Sequence, residues 1–182
     1  MRIISGKARG TKLYTLEGDN TRPTLDRVKE SIFNIIQPDI QNSIFLDLFS
    51  GCGAMGLEAV SRGAKKAILC DKSKDAVNII KKNIEKTRFS NNTVVLNMDF
   101  KLALENEIKE KIDIVYLDPP YKTDFIYKSI EIMLKKSIIN ENTKIIIETD
   151  DKERVLKEIE NLNIKVIDER KYGRAQVIFL KI

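Results

Sequence analysis

Five short apolar stretches alternate with amphipathic helical segments, and two closing strands follow with too few residues between them for a helix. This pattern predicts a doubly wound α/β fold with about seven strands in one sheet, the last pair antiparallel. Right-handed crossovers place its ligands at the carboxyl ends of the parallel strands. The length of 182 residues supports one core rather than two full domains.

The elements follow in order. Met1 to about Leu16 reads as short strands or a hairpin, with Gly6, Gly10 and Gly18 as turns. Thr21-Arg22-Pro23-Thr24 reads as a helix start, with Thr24 as cap and Asp26 in the first turn. Leu25, Val28, Ile32, Ile35 and Ile36 share one face of that helix, which is expected to end before Pro38. Ile44–Phe49 is the first buried strand, followed by a glycine turn and a helix from about Met55 to Arg62. Ala67–Cys70 is the second, and Ser73 caps a helix burying Ala76, Ile80 and Ile84. Val94–Leu96, Ile112–Leu117 and Lys144–Ile147 continue the series, with helical stretches between them. Asp150 or Asp151 caps a helix facing inward through Val155, Leu156, Ile159 and Leu162. Strands near Ile164–Ile167 and Ala175–Leu180 close the chain around a loop holding Tyr172-Gly173. The expected organisation is a basic hairpin and helix over residues 1–38, extending a cofactor-binding core over 39–182.

Composition narrows the function. With 42% hydrophobic and 32% charged residues the chain is an ordinary globular protein, and no apolar run reaches the 18 or so residues a membrane span needs. There are two cysteines and no histidine, which removes a disulfide framework, most zinc sites and every His-based triad. A reducing cytoplasm is the expected location, and no metal is expected. The net charge of +5 is concentrated: Arg2, Lys7, Arg9 and Lys12 stand among the first twelve residues without one acid.

Asp47-Leu-Phe-Ser-Gly51-Cys-Gly53-Ala-Met-Gly56 holds a G-x-G-x-x-G between a strand and a helix, and Asp71 lies 20 residues beyond Gly51 at the next strand end. The glycines let backbone approach a ligand, and the acid can accept two hydrogen bonds from ribose hydroxyls. Nicotinamide dinucleotides and S-adenosylmethionine both use this pattern. Asp47, two residues before Phe49, would repel a diphosphate and suits a cation, so S-adenosylmethionine is favoured. Asp99, at the third strand end, is either an acceptor for the adenine amine or a helix cap. Cys52 reads as a small filler in the loop.

The most specific signal is Asp118-Pro119-Pro120-Tyr121, directly after a buried strand. Two prolines fix the backbone and remove two N–H donors, so the strand tip offers a carboxylate, a rigid carbonyl and an aromatic ring. A planar base bearing an amine fits such a site. If Asp118 and the Pro119 carbonyl each accept an amine hydrogen, the nitrogen lone pair is drawn out of the ring. Tyr121 would stack on the base.

These motifs, with Arg2-Ile-Ile-Ser-Gly-Lys-Ala-Arg-Gly10, Thr21 to Asn34 and Gly56 to Ala64, resemble the bacterial small-subunit ribosomal RNA guanine-N2 methyltransferase family over nearly the whole chain. The resemblance implies a Rossmann-like methyltransferase fold. It also implies methyl transfer from S-adenosylmethionine to the 2-amino group of one guanine, leaving S-adenosylhomocysteine. By matching position, Asp47, Phe49, Gly51, Gly53 and Asp71 hold the cofactor, and Asp118, Pro119, Pro120 and Tyr121 hold the base. Ser5, Cys52 and Asp71 depart from the family's usual glycine, serine and glutamate. The RNA clamp is expected from Arg2, Lys7, Arg9 and Lys12, joined by Arg22 and Arg27, with Lys122, Tyr172 and Arg174 near the same strand ends. The expected partner is ribosomal RNA, presented as a shape or a partly assembled small-subunit particle, and the default state is a monomer.

Three rivals differ in what they leave unexplained. A DNA adenine methyltransferase shares the tetrapeptide but needs a target-recognition region for which 182 residues leave no room. A nicotinamide dehydrogenase leaves Asp118 to Tyr121 without a role. An RNA-binding module without activity would be indifferent to Asp118.

Overall fold

The computed structural model describes residues 1–16, 23–120 and 123–182, and the side chains of 26 onward in the first helix. The order is α1 (Pro23–Ile40), β1 (Ile44–Asp47), α2 (Ala54–Ser61), β2 (Lys66–Cys70), α3 (Lys74–Thr87), β3 (Thr93–Leu96), α4 (Phe100–Leu102), β4 (Ile114–Leu117), α5 (Phe125–Lys135), β5 (Lys144–Thr149), α6 (Lys152–Ile159), β6 (Lys165–Tyr172) and β7 (Ala175–Lys181). Seven strands form one sheet in the order β3-β2-β1-β4-β5-β7-β6. β1 to β5 are parallel, and β7 runs antiparallel to both β5 and β6. Strand order reverses beside β1, which is the switch point where a doubly wound sheet opens a crevice at its strand tips.

The core has two faces because strand side chains alternate. Phe45, Ile114, Tyr116 and Ile146 pack toward Val28, Ile32, Phe33 and Ile36 of α1. Leu46, Val115, Ile145 and Ile147 pack on the other face with Ile126, Ile130 and Met133 of α5. The first segment forms one antiparallel bridge, Arg2 to Lys12, and buries Ile3 and Leu13 against Leu57 and Val60 of α2.

The predicted elements are present, with shifted ends. Thr24 lies inside α1 rather than capping it, and Pro23 opens the helix, where its missing N–H costs nothing. The helix also runs through Pro38 to Ile40, contrary to the expected stop. The bond that Pro38 cannot make would fall on Asn34, which is exposed so that water can satisfy its carbonyl, while Ile40 gains full burial. β1 ends at Asp47, so Leu48 and Phe49 belong to the loop, and β6 extends through Tyr172, leaving Gly173 and Arg174 to turn the chain. Ser73 and Asp151 cap α3 and α6, accepting from the N–H groups of Ala76 and Arg154. Gly18, Thr21 and Arg22 lie outside the described residues.

Candidate active site

The tips of β1, β2 and β4 carry the site. β1 delivers Asp47 and then turns through Gly51 (φ 54°) and Gly53 (φ 79°), both in the left-handed region that favours glycine. A Cβ on Gly51 would meet nothing within 4 Å, so the loop leaves open space at the ligand side. At Gly56 the reason is packing: a Cβ there would stand 2.2 Å from Leu69 Cδ2 on β2.

Two cavities flank this loop and share Phe49, Gly51 and Asp118 as walls. One, of about 370 Å³, is lined by Asp71, Asp99, Phe100, Pro119, Pro120 and Phe125 among others. The other, of about 320 Å³, includes Lys29, Asp47, Met55, Tyr116 and Glu148 in its wall. Together they make a continuous lining around the strand tips, divided by Phe49 and Asp118.

In the first cavity Asp71 accepts hydrogen bonds from the N–H groups of Gly51 (2.9 Å) and Ser73 (2.8 Å), which fix its carboxylate at the rim. Asp99 is the cap of α4, accepting from Lys101 N–H at 2.9 Å, and it still faces the cavity. The two readings of Asp99 are therefore compatible in one residue. Phe49, Phe100 and Phe125 form an aromatic cluster with centroids 4.8–6.2 Å apart, Phe49 and Phe125 nearly parallel and Phe100 tilted against both, an apolar wall for a purine. Phe100 and Phe125 were not among the predicted site residues; adjacency to Asp99 and the acceptor tip was the available signal.

Asp47 carries the strongest electrostatic signature. Its Oδ2 accepts from Gly56 N–H at 3.1 Å, but the buried Oδ1 has no partner. Burial, added to by the charge of Asp71 and opposed by the Gly56 bond, raises its pKa from 3.8 to about 7. An orphaned buried acceptor at a cavity wall fits a cationic group such as the amino acid end of S-adenosylmethionine.

A stability consequence follows. A carboxyl whose folded pKa is raised stabilises the fold most below its unfolded value of 3.8, and that contribution is lost as pH rises to about 7. Asp47→Asn is therefore expected to stabilise the ligand-free protein at pH 8 by on the order of 2–4 kcal/mol, and by almost nothing at pH 4. Thermal melts at both pH values check this; equal midpoints for variant and wild type at pH 8 would remove the strain argument.

Asp118 follows β4 with its carboxyl at the mouth between the cavities. Lost hydration, then Glu148 and Asp47, push its pKa upward, although its exposed flank lets water temper the effect. Pro119 is buried, and no described residue donates to its carbonyl, whereas the Pro120 carbonyl accepts from the Thr123 hydroxyl at 2.9 Å. Tyr121 and Lys122 lie outside the described residues. Of the predicted RNA contacts, Arg2, Arg9 and Arg27 meet around a surface cavity of about 420 Å³ that also holds Asp26 and Glu30. Lys12 is the bridge partner of Arg2, and Lys7 lines a separate groove with Arg62, Lys65 and Arg88. The Tyr172 hydroxyl is hydrogen-bonded to Ser31 of α1, and Arg174 sits in the β6–β7 turn.

Five parallel strands extended by an antiparallel pair, β7 and β6, with an acid–glycine loop and a carboxylate-proline tip, define a Rossmann-like methyltransferase fold. The chain belongs to the family described as Conserved hypothetical protein 95, whose model matches residues 1–181. It is 37% identical over 154 residues to Ribosomal RNA small subunit methyltransferase D of Haemophilus influenzae, covering 82% of this chain and 79% of that one. The Escherichia coli protein of the same name is 31% identical over 150 residues, with 82% of this chain and 75% of that protein covered. Among solved structures, the candidate methyltransferase yhhF of Escherichia coli superposes with a TM-score of 0.83 at 27% identity, across 100% of this chain and 97% of that one.

Proposed function

We propose that this protein transfers a methyl group from S-adenosylmethionine to the exocyclic 2-amino group of a guanine in small-subunit ribosomal RNA. Methyl transfer to ribosomal RNA is the activity for which its relatives are named. The observation that carries the finer reading is the juxtaposition at the strand tips. The Asp118-Pro119 corner shares Phe49 and Gly51 as walls with the buried Asp47 carboxylate, whose Oδ1 has no partner.

S-adenosylmethionine supplies an electrophilic methyl group on a sulfonium. Asp47 holds the cofactor's cationic end, Asp71 its ribose, and Asp99 with the aromatic wall its adenine, while Gly51 and Gly53 keep the loop clear. Asp118 and the Pro119 carbonyl accept the two hydrogens of the guanine amine, and Pro120 keeps the corner rigid. Tyr121 stacks on the base. Each acceptor pulls the nitrogen toward a tetrahedral geometry and frees its lone pair. Alignment of this kind is worth about 7–11 kcal/mol of barrier when the reacting atoms are held together. Arg2, Arg9 and Arg27 contact phosphates together, with Lys12, Arg22, Lys122, Tyr172 and Arg174 as further contacts, while Lys7 faces a groove at the opposite end of the strands. A base stacked in a duplex cannot reach the cavity, so the guanine must be presented unpaired or swung out.

Mass spectrometry of ribosomal RNA from cells lacking the protein tests this directly. One 2-methylguanine is expected to disappear from the small-subunit RNA and to return when purified protein and S-adenosylmethionine are added. An unchanged methylguanine inventory, or loss of a methyladenine instead, overturns the assignment.

A further inference from the structure

We propose that Glu148 is the residue that distinguishes guanine from other amine-bearing purines, by accepting the hydrogen on ring nitrogen N1. This rests on the guanine-N2 reading above and extends it to a residue with no part in that account.

The placement follows from strand register. β4 and β5 are parallel with Leu117 opposite Ile147, so Asp118, the first residue beyond β4, stands level with Glu148 near the end of β5. Glu148 and Tyr116 lie in the wall of the 320 Å³ cavity together with Asp118. The Tyr116 hydroxyl donates to Glu148 Oε2 at 2.6 Å. Burial and the neighbouring carboxylates hold that phenol far above its usual range, so it stays a donor. One oxygen of Glu148 is thus pinned, and no described group donates to the other, on a residue that lines the cavity.

No described cation pairs with Glu148. The acids at these tips form no metal-holding group among the described residues. A half-buried carboxylate without a counter-charge is costly: burial pushes the Glu148 pKa up, the Tyr116 bond works against that, and a second donor brought from outside would favour the ionised acceptor further. The Watson–Crick edge of guanine carries such a donor beside the reacting group: N1–H lies next to the 2-amino nitrogen. When Asp118 accepts the amine hydrogen on the N1 side and Pro119 the one on the N3 side, N1–H falls toward Glu148, the neighbour of Asp118 across the β4–β5 pair. Adenine has a bare acceptor at N1, which would face a carboxylate lone pair. A site built to hydrogen-bond one donor rejects the analogue lacking it strongly, because its own buried acceptor is left unpaired.

The test uses an oligoribonucleotide spanning the methylated guanine, made with guanine or with 2-aminopurine at that position. 2-Aminopurine keeps the 2-amino group but has no hydrogen on N1. Wild-type enzyme is expected to methylate guanine at least ~100-fold faster than 2-aminopurine. In Glu148→Gln the Tyr116 hydroxyl retains the carbonyl oxygen and turns the amide N–H₂ toward the cavity. Turnover of guanine should then fall about 100-fold, the guanine-to-2-aminopurine ratio should shrink below ~10, and S-adenosylmethionine affinity should hold. Tyr116→Phe, which frees Glu148 without removing it, should give an intermediate ratio. Equal loss on both substrates, or a ratio unchanged in either folded variant, overturns the role of Glu148. A wild-type enzyme that methylates guanine neither in the oligonucleotide nor in a small-subunit particle assembled on RNA carrying it overturns the guanine-N2 reading itself.

Discussion

Asp118→Ala is expected to reduce methyl transfer by roughly 10²–10³-fold, while S-adenosylmethionine affinity stays within a few-fold of wild type. The magnitude is that of removing one preorganised partner of the charge that develops in a transition state. Before reaction the guanine amine is a weak nucleophile, and the positive charge that builds on it as the new bond forms is what the Asp118 carboxylate offsets. The Pro119 carbonyl cannot replace it, because a neutral acceptor gains far less from that charge. Asp118 acts only when ionised, and its pKa lies above the usual carboxylate range owing to burial and the nearby Glu148 and Asp47. Turnover should therefore fall as pH drops through that raised value, and in the Ala variant the acid limb should lose the Asp118 contribution and keep only those of Asp47 and Glu148. Single-turnover rates across pH, set beside equilibrium cofactor binding, separate the two. Near-normal turnover by a folded Asp118→Ala protein would remove Asp118 from the reaction.

The parts of this site legible in sequence are those that local chemistry fixes. Gly51 and Gly53 announce themselves because a left-handed turn between a strand and a helix needs glycine, and Asp118 because two prolines after a buried strand leave little but acceptors. The four inner parallel strands were equally legible, since burial on both faces writes an apolar run, and β3 at the edge, with Val94 exposed, was legible from its β-branched residues. Glu148, Tyr116 and Lys29 were not. Each sits in an ordinary strand or helix pattern, and only the register between β4 and β5 and the packing of α1 bring them to one cavity. Phe100 and Phe125 were hidden the same way, being apolar residues at helix starts that could equally serve the core. Pro38 misled for the opposite reason: the local rule against proline was outweighed by burial of Ile40.

The largest expected loss of stability is at Glu58, another residue that reads as a helix-surface acid and is in fact fully buried. Its Oε2 accepts from Ile4 N–H at 2.7 Å and lies 3.4 Å from Lys29 Nζ; its Oε1 accepts from Ser5 N–H at 3.0 Å and Arg62 Nε at 2.7 Å. One carboxylate thus holds two cations, whose other partners are the Arg2 carbonyl and Gln37 Oε1, and two part-buried backbone donors. Lys29 is itself 2% exposed, and burial lowers its pKa even with Glu58 and Asp26 working against that. Glu58→Ala leaves these groups stranded, and breaking a buried pair by deleting one partner costs about 3–5 kcal/mol. For a chain of this size that is a melting point lower by roughly 10 °C. Glu58→Gln keeps an acceptor and should lose less. The same carboxylate anchors the first segment to α2, helped by Ser61, whose hydroxyl donates to the Ser5 carbonyl and whose own carbonyl accepts from Lys7 N–H. In Glu58→Gln, therefore, RNA affinity should fall more than cofactor affinity, because Arg2 and Arg9 lose their fixed position while the Asp47 loop remains supported by Gly53 and Gly56. Denaturant melts and paired binding titrations measure both effects. A melting point within 2 °C of wild type for Glu58→Ala would show that its partners find water, and that the anchor is not what holds the basic segment in place.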